Sequence, residues 1–138
     1  MTLRLLGLLS ALAGCSAALP APPVTEHPLS AYVEVPYPPP AALAETVPGK
    51  PARDGVVWLD GEWQYRGRSF VWRRGGWVVA PPGGRFATWR SWYRRDGRLM
   101  LAPGTWYDRR HERIRWQQPI APAETPPNDV TSEFQTGR

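Results

Sequence analysis

The sequence predicts an all-β fold, a small antiparallel meander of about eight short strands that closes as a barrel or a sandwich. Two observations predict this class. Short runs rich in Val, Phe, Tyr and Trp are separated by glycine-containing pairs that are typical of turns between strands. All eight tryptophans also lie between Trp58 and Trp116. One Trp-rich domain, residues 54–118, is therefore expected to hold the core.

The register prediction depends on four tryptophans that lie five, nine and five positions apart: Trp58, Trp63, Trp72 and Trp77. Three two-residue turns would pair each of them with the next one along the chain. These turns are predicted at Asp60-Gly61, Gly67-Arg68 and Arg74-Gly75. The last is the weakest, because an arginine there would need a positive φ. The four rings then form one row across four strands, which we predict as the structural core.

A second unit is predicted from an offset of 29 residues. The step from Trp63 to Trp77 recurs from Trp92 to Trp106, and Asp96-Gly97 predicts another two-residue turn. In this unit aromatic residues fall on both faces of the sheet. Burying ~200 Å² per tryptophan contributes about 5 kcal/mol each, so a domain this small needs most of its tryptophans inside. The aromatics left for a surface are expected to be Trp89, Tyr93, Tyr107 and Trp116.

Positive charge is concentrated in the domain. Residues 50–116 carry 15 Lys and Arg against 6 Asp and Glu, although the whole chain has a net charge of only +5. Together with the four aromatics, a group of arginines forms the predicted binding surface: Arg94, Arg95, Arg98 and Arg110. An anionic polysaccharide, lipopolysaccharide or an acidic partner would suit it. The alternative is that these arginines only solvate turns and protect strand edges.

The first 15 residues resemble the export signal of a bacterial lipoprotein. Residues 1–14 contain Arg4 and then a short apolar stretch, which is too short to span a bilayer as a helix. Leu12-Ala13-Gly14-Cys15 resembles a lipobox, and Cys15 is the only cysteine. The resemblance implies acylation of Cys15 and a lipid anchor on the membrane. Ser16 in place of aspartate implies the outer membrane.

Proline-rich segments flank the domain. Residues 15–53 contain the lipidated cysteine and a segment in which, we predict, neither helix nor sheet runs, because proline lacks a backbone N–H donor. We expect a disordered, extended tether there. The alternative is that the stretch AYVEVPYPPP packs against the domain or binds a partner as a proline-rich ligand. Residues 119–138 are predicted to be a disordered tail.

Two hexapeptides resemble a known bacterial family. WLDGEW (58–63) and WRRGGW (72–77) resemble the repeats of the YXWGXW (WXXGXW) repeat-containing proteins, many of which are predicted lipoproteins with a proline-rich lead. The resemblance covers about residues 57–116. LAPGTW (101–106) departs from it, because leucine stands in place of the first tryptophan. The resemblance implies a repeat organisation but no particular activity.

The sequence does not predict an enzyme. His27 lies in the proline-rich segment and His111 beside Glu112 in an expected turn, and neither belongs to a nucleophile, metal or phosphate-binding motif. We therefore predict no catalytic residues, no metal and no cofactor. The predicted function is that of a lipid-anchored cell-envelope module that binds an anionic polymer such as lipopolysaccharide or peptidoglycan, or is structural. The alternative is a subunit that docks onto another envelope protein through exposed aromatics, and nucleic acid is an unlikely partner for an exported chain.

Overall fold

The computed structural model describes residues 18–124, and these residues form an all-β structure. One 3-10 helix (Leu29–Ala31) precedes ten short strands. The strands are β1 (Val33–Val35), β2 (Val56–Leu59), β3 (Glu62–Arg66), β4 (Ser69–Arg73), β5 (Gly76–Val79), β6 (Arg85–Ala87), β7 (Arg90–Tyr93), β8 (Leu99–Ala102), β9 (Thr105–Tyr107) and β10 (Ala121–Pro122). All their ladders are antiparallel. In the described residues the small sheets pack as a sandwich and do not close into a barrel.

Strands β2 to β5 form one long hairpin, and both of its arms bend at the same level. We call residues 56–79 the first unit. β3 pairs with β4 around the loop Gly67-Arg68, and β2 pairs with β5. The β2–β5 ladder has the same register as the β3–β4 ladder: each step away from the Gly67-Arg68 loop moves one residue along both arms, from Trp63 and Trp72 to Trp58 and Trp77. The ladders are interrupted at Asp60-Gly61 in one arm and at Arg74-Gly75 in the other. The hairpin therefore bends at the glycines of the two hexapeptides.

The four core tryptophans form two cross-strand pairs, one on each side of this bend. Trp63 faces Trp72, and Trp58 faces Trp77. Both pairs are edge-to-face, with ring centroids 5.1 Å and 5.4 Å apart, a favourable geometry for indoles. Trp58, Trp63 and Trp77 are buried, while Trp72 is half-buried and packs against the core. The five-residue steps cross the bend within one arm, and the nine-residue step crosses the loop.

Two of the three turns predicted for the first unit are wrong. The turn at Gly67-Arg68 is present with the predicted pairing, and Gly67 has the positive φ (65°) that it requires. A type I′ turn at Asp60-Gly61 would need positive φ at both residues, and neither has it. Arg74 also has no positive φ. Asp60 instead accepts a hydrogen bond from Trp58 Nε1 at 2.8 Å.

Strands β6 to β9 repeat the same bent hairpin; residues 85–107 are the second unit. β6 pairs with β9 and β7 with β8, again in one register. Phe86 faces Trp106, as Trp58 faces Trp77 in the first unit. The loop here has three residues and ends at Gly97 with φ 81°, one residue more than in the first unit. The predicted two-residue turn at Asp96-Gly97, which would pair Trp92 with Leu101, is therefore wrong, and Trp92 pairs with Met100.

A glutamate carboxylate closes each bend. Gly75 N donates to both oxygens of Glu45 at 3.0 and 3.2 Å, and Trp72 Nε1 donates to the same carboxylate at 2.8 Å. In the second unit, Gly104 N donates to both oxygens of Glu62 at 3.0 and 3.1 Å. The bends break the backbone ladder, so the carboxylates satisfy N–H groups that would otherwise lack an acceptor.

The N-terminal segment, residues 18–53, is packed on the domain, so the prediction that neither helix nor sheet runs there is wrong. β1 pairs with β8, and Val35 is 3% exposed in the core. Val24 forms a parallel bridge with Phe86. The alternative stated for AYVEVPYPPP, packing against the domain, is the one that the structure has. The physical reason is that VEV, between prolines, keeps a full set of N–H donors and alternates polar and apolar residues.

The same segment provides acceptors for three of the four core indoles. Trp63 Nε1 donates to Ala41 O at 2.9 Å, Trp77 Nε1 to Pro48 O at 2.9 Å, and Trp72 Nε1 to Glu45. An extended chain without internal hydrogen bonds leaves its carbonyls free to accept. The N-terminal segment is therefore part of the core.

The described chain ends in a short strand. β10 pairs with β5, Ala123 is 1% exposed, and Glu124 bridges Thr46. The prediction of a disordered tail is therefore wrong for residues 119–124. Residues 1–17, which include Cys15 and the predicted signal, and residues 125–138 lie outside the described part of the chain.

Candidate functional site

An open cleft of about 610 Å³ lies where the first unit meets the second; we call it the arginine cleft. Its walls are the end of β3, the bend before β9, and residues 113–118, which cross the second unit after β9. Its charged and aromatic lining consists of Arg66, Arg73, Arg113, Arg115, Tyr65, Trp106 and Trp116. The lining contains four arginines and, within residues 18–124, no carboxylate. The cleft is therefore a cationic site with aromatic walls.

Arg73 forms the inner end of the cleft, on β4. Its guanidinium lies 3.7 Å above the centre of the Trp116 ring, a cation–π contact, and Nη1 donates to Gly104 O at 3.3 Å. Nη2 lies 2.9 Å from Glu62 Oε2, the carboxylate that closes the bend of the second unit. Burial raises the pKa of the Glu62 carboxyl, and the charge of Arg73 opposes that rise. The pair thus fixes a guanidinium in place behind the cleft.

Hydrogen-bond donors without acceptors are concentrated in this cleft. In the described residues, three buried side-chain polar atoms have no hydrogen-bond partner: Arg73 Nε, Arg73 Nη2 and Trp106 Nε1. The Arg73 Nη2 contact to Glu62 is close enough for an ion pair but lacks hydrogen-bond geometry. All three atoms are donors, and both residues line the cleft. Because these three atoms are buried, a ligand in the cleft would meet the exposed guanidinium groups of the rim and not these donors.

The rim of the cleft carries arginines that have no ion-pair partner in residues 18–124. Arg113 and Arg115 are exposed, and neither has a carboxylate within ion-pair distance in residues 18–124. Arg66 is held by Gln64, whose side-chain oxygen accepts from Arg66 Nη2 at 2.6 Å and from Nε at 3.2 Å. Guanidinium groups bind carboxylates and phosphates with two parallel hydrogen bonds. The arrangement suits a ligand that has an anionic group for the arginines and an apolar face that packs against Tyr65 or Trp116.

The structure does not bring the predicted surface residues together. Trp116 lines the arginine cleft, but Tyr107 is 3% exposed, and Trp89 is half-buried with its Nε1 donating to Trp63 O at 2.8 Å. Tyr93 is 63% exposed on β7. The selection of Trp89 and Tyr107 as surface aromatics is corrected: Trp89 packs on the core cluster that includes Trp63 of the first unit, and Tyr107 is covered on the side where His27 of the N-terminal segment contacts it.

The predicted arginines lie elsewhere on the surface. Arg94 and Arg98 contact Asp96 in the β7–β8 loop, and Arg98 also pairs with Glu34 at 3.1 Å. Arg95 is exposed in the same loop, and Arg110 in the turn after β9. None of the four lines the arginine cleft. The cleft residues Gln64 and Tyr65 were missed because they carry no motif; the alternating arginines Arg113 and Arg115 before Trp116 in RIRWQQ were the available signal.

The described residues contain no group of three or more His, Cys, Asp or Glu side chains arranged to hold a metal ion. Within residues 18–124 no helix has the length and apolar character to span a membrane. Comparison with protein-family models, with curated proteins and with solved structures gave no match.

Proposed function

We propose that this chain is a non-enzymatic, lipid-anchored binding module of the bacterial cell envelope that holds an anionic polymer in the arginine cleft. The observation that carries the proposal is the concentration of four arginines, three of them without an ion-pair partner in residues 18–124, on one cleft whose lining has no carboxylate. A carboxylated or phosphorylated glycan has the complementary chemistry, because its anionic groups accept from guanidinium N–H groups and its sugar rings pack on aromatic faces. Lipopolysaccharide and acidic polysaccharide belong to this class.

The anchor is the second part of the proposal. The lipobox-like sequence before Cys15, its position after a short apolar stretch, and the resemblance to the WXXGXW repeat lipoproteins support acylation. Ser16 favours the outer membrane as the destination. We expect Cys15→Ser to move the protein from the membrane fraction to the extracytoplasmic soluble fraction; unchanged detergent partitioning would contradict the anchor.

Binding at the cleft is tested with polygalacturonate and purified lipopolysaccharide, and with neutral dextran as a negative control. The double variant Arg113→Gln/Arg115→Gln should bind the two polyanions at least about tenfold more weakly, because each lost charge-assisted hydrogen bond is worth about 1.5–3 kcal/mol. Arg94→Gln/Arg95→Gln removes the same charge outside the cleft and is the matched control. Equal losses in both double variants would show that only net charge matters, and the cleft proposal would fail.

A second candidate function is docking onto another envelope protein. Trp92 and Tyr93, 43% and 63% exposed, lie on β7, which is the edge strand of its sheet. Aromatic docking should persist at high salt, whereas binding of a polyanion weakens as salt screens the arginines. A pull-down from envelope extract at low and high salt, with Trp92→Ser/Tyr93→Ser as the variant, separates the two functions.

A further inference from the structure

The N-terminal segment is attached to the domain almost from its first described residue. Trp58 N donates to Pro20 O at 2.8 Å, and Phe86 N donates to Pro23 O at 2.7 Å. Thr25 N in turn donates to Phe86 O at 3.1 Å. Only four residues, 16–19, separate Cys15 from this attachment, and a fully extended chain of that length reaches about 18 Å. A lipid on Cys15 would therefore hold the domain against the bilayer and not at the end of a long tether.

The surface beside this attachment is cationic; we call it the N-terminal face. A groove there is lined by Pro23, by residues 80–81 and 83–85, and by Arg109. Arg85 and Arg109 are exposed, and neither has a carboxylate partner within residues 18–124. The groove lining includes no Asp or Glu.

Exposed apolar side chains accompany these charges. Leu19, just before the attachment, is 44% exposed, and Val24, within it, is 68% exposed. Thr25 Oγ1 lies 3.4 Å from His111 Nε2, which brings the turn that contains Arg110 to the same side. The turn also contains two carboxylates, Asp108 and Glu112, and Glu26 beside Thr25 pairs with Arg90; none of these carboxylates lies within ion-pair distance of Arg85 or Arg109. No residue lines both this groove and the arginine cleft.

We propose that the N-terminal face, with Arg85, Arg109, Leu19 and Val24, is a membrane-contact surface for the anionic lipid headgroups of the bilayer that carries the anchor. Two features select this occupant: the short length of chain between Cys15 and Pro20, and the complementarity between unpaired arginines and lipid phosphates. The inference rests on the proposed lipid anchor. It leaves the arginine cleft, which uses other residues, free to bind its ligand while the domain lies on the membrane.

The test uses the chain from Ser16 to Arg138, which contains every described residue and no lipid. It is sedimented with vesicles of pure phosphatidylcholine and with vesicles of phosphatidylcholine and phosphatidylglycerol in equal amounts. We expect binding to the anionic vesicles only. Each arginine near an anionic surface contributes about fivefold in partitioning, so Arg85→Gln/Arg109→Gln should reduce it about 30-fold.

The matched control is Arg66→Gln/Arg115→Gln, which removes the same charge from the arginine cleft and should reduce vesicle binding less than about threefold. Equal reduction in both variants, or no binding of the unmodified chain to anionic vesicles, would overturn the proposal. Polygalacturonate binding distinguishes this failure from failure of the proposed function, because Arg85→Gln/Arg109→Gln should leave it unchanged. Fractionation of Cys15→Ser in cells tests the anchor separately.

Discussion

At the scale of single residues, the most consequential side chain outside the Trp-rich domain is Glu45. Its carboxylate lies at the bend of the first unit and accepts from Trp72 Nε1 and from Gly75 N. Glu62 has the matching place at the bend of the second unit, where it accepts from Gly104 N. The N-terminal segment thus closes the first unit, and the first unit closes the second. In the second unit, the position that matches Glu62 at the start of β3 is Arg90 at the start of β7. An arginine has no carboxylate to close a further bend, so the series of glutamate contacts ends at the second unit.

Replacing Glu45 should be more damaging than replacing a typical surface glutamate. Glu45→Ala leaves an indole and a buried glycine N–H without their acceptor, so we expect the free energy of unfolding to fall by about 2 kcal/mol. The matched control is Glu26→Ala. Glu26 pairs with Arg90 at 3.5 Å and is 77% exposed, so the loss should stay below about 0.5 kcal/mol. Urea denaturation measures both, and similar losses in the two variants would contradict this role of Glu45.

His27 makes stability depend on pH. Its Nε2 donates to Thr88 O at 2.8 Å, and its Nδ1 lies 3.3 Å from Tyr107 Oη. Burial lowers the pKa of His27, and the charge of Arg90 also lowers it, against a rise from the bond to Thr88. The unfolded chain therefore binds the proton more readily. The contribution of neutral His27 is fully present above the unfolded pKa of about 6.5 and is lost as pH falls below it.

We therefore expect the free energy of unfolding to fall between about pH 7.5 and pH 5, and to fall less in His27→Gln. Urea denaturation at several pH values measures the difference. The variant at pH 7.5 serves as the control for folding, since an amide can still donate to Thr88 O. A steeper loss of stability at low pH in His27→Gln than in the unmodified chain would contradict the assignment.

At the scale of elements, the bent hairpin explains the glycine of the hexapeptide. The bend brings both arms close together, so a Cβ on Gly75 would lie 2.7 Å from Leu59 O and 2.8 Å from Gly61 N. On Gly61 it would lie 2.5 Å from Glu45 Oε2 and from Trp72 Cζ2. The glycines are thus needed for close approach and not for a left-handed turn. The tryptophans on each side of the bend then bury the two halves of the hairpin.

Gly75→Ala should destabilise the protein by about 3 kcal/mol, because the new methyl group meets backbone atoms that cannot move away easily. Gly49→Ala is the matched control: no atom lies within 4 Å of its Cβ position, and we expect a change within about 0.5 kcal/mol. Thermal or urea unfolding followed by tryptophan fluorescence compares them. If Gly75→Ala were as stable as Gly49→Ala, the close-approach explanation of the motif would be wrong.

At the scale of the whole molecule, the folded body includes the proline-rich segment. Three core indoles donate to it, β1 extends the β7–β8 sheet, and Tyr37 packs edge-to-face on Tyr65 and Phe70. Four residues, 16–19, then separate Cys15 from the first backbone contact with the domain at Pro20, and the proposed membrane contact depends on this short connection. It also covers surfaces that the sequence pattern alone leaves available to a ligand.

A chain that begins at Gly49 should lose cooperative unfolding, because Trp63, Trp72 and Trp77 would each lose the acceptor of their indole N–H. Near-UV circular dichroism and urea denaturation measure the loss. Adding a peptide of residues 18–48 should restore the near-UV signal, which controls for damage from truncation. A truncated chain with the unfolding midpoint of the full one would show that the segment is only a spacer.

The sequence by itself determined the all-β class, the two units, the Gly67-Arg68 loop and the placement of Trp58, Trp63 and Trp77 inside. These features depend on local chemistry: β-branched and aromatic runs, a glycine that can adopt positive φ, and the preference of large rings for burial. Local patterns allowed the wrong interpretation at Asp60-Gly61, because an Asp-Gly pair suits both a type I′ turn and a bend where two arms approach closely.

Only the tertiary structure decided how the strands beyond β3 and β4 pair, which aromatics remain exposed and where arginines converge without carboxylates. Trp58 pairs with Trp77 because a hairpin can bend and continue its register, an outcome set by packing and not by the spacing of two residues. Tyr107 is buried by the N-terminal segment that contacts it through His27. The arginine cleft joins β3, the bend before β9 and residues 113–118, which are far apart in the chain. Such a site arises from long-range contacts, whereas sequence patterns report only local ones.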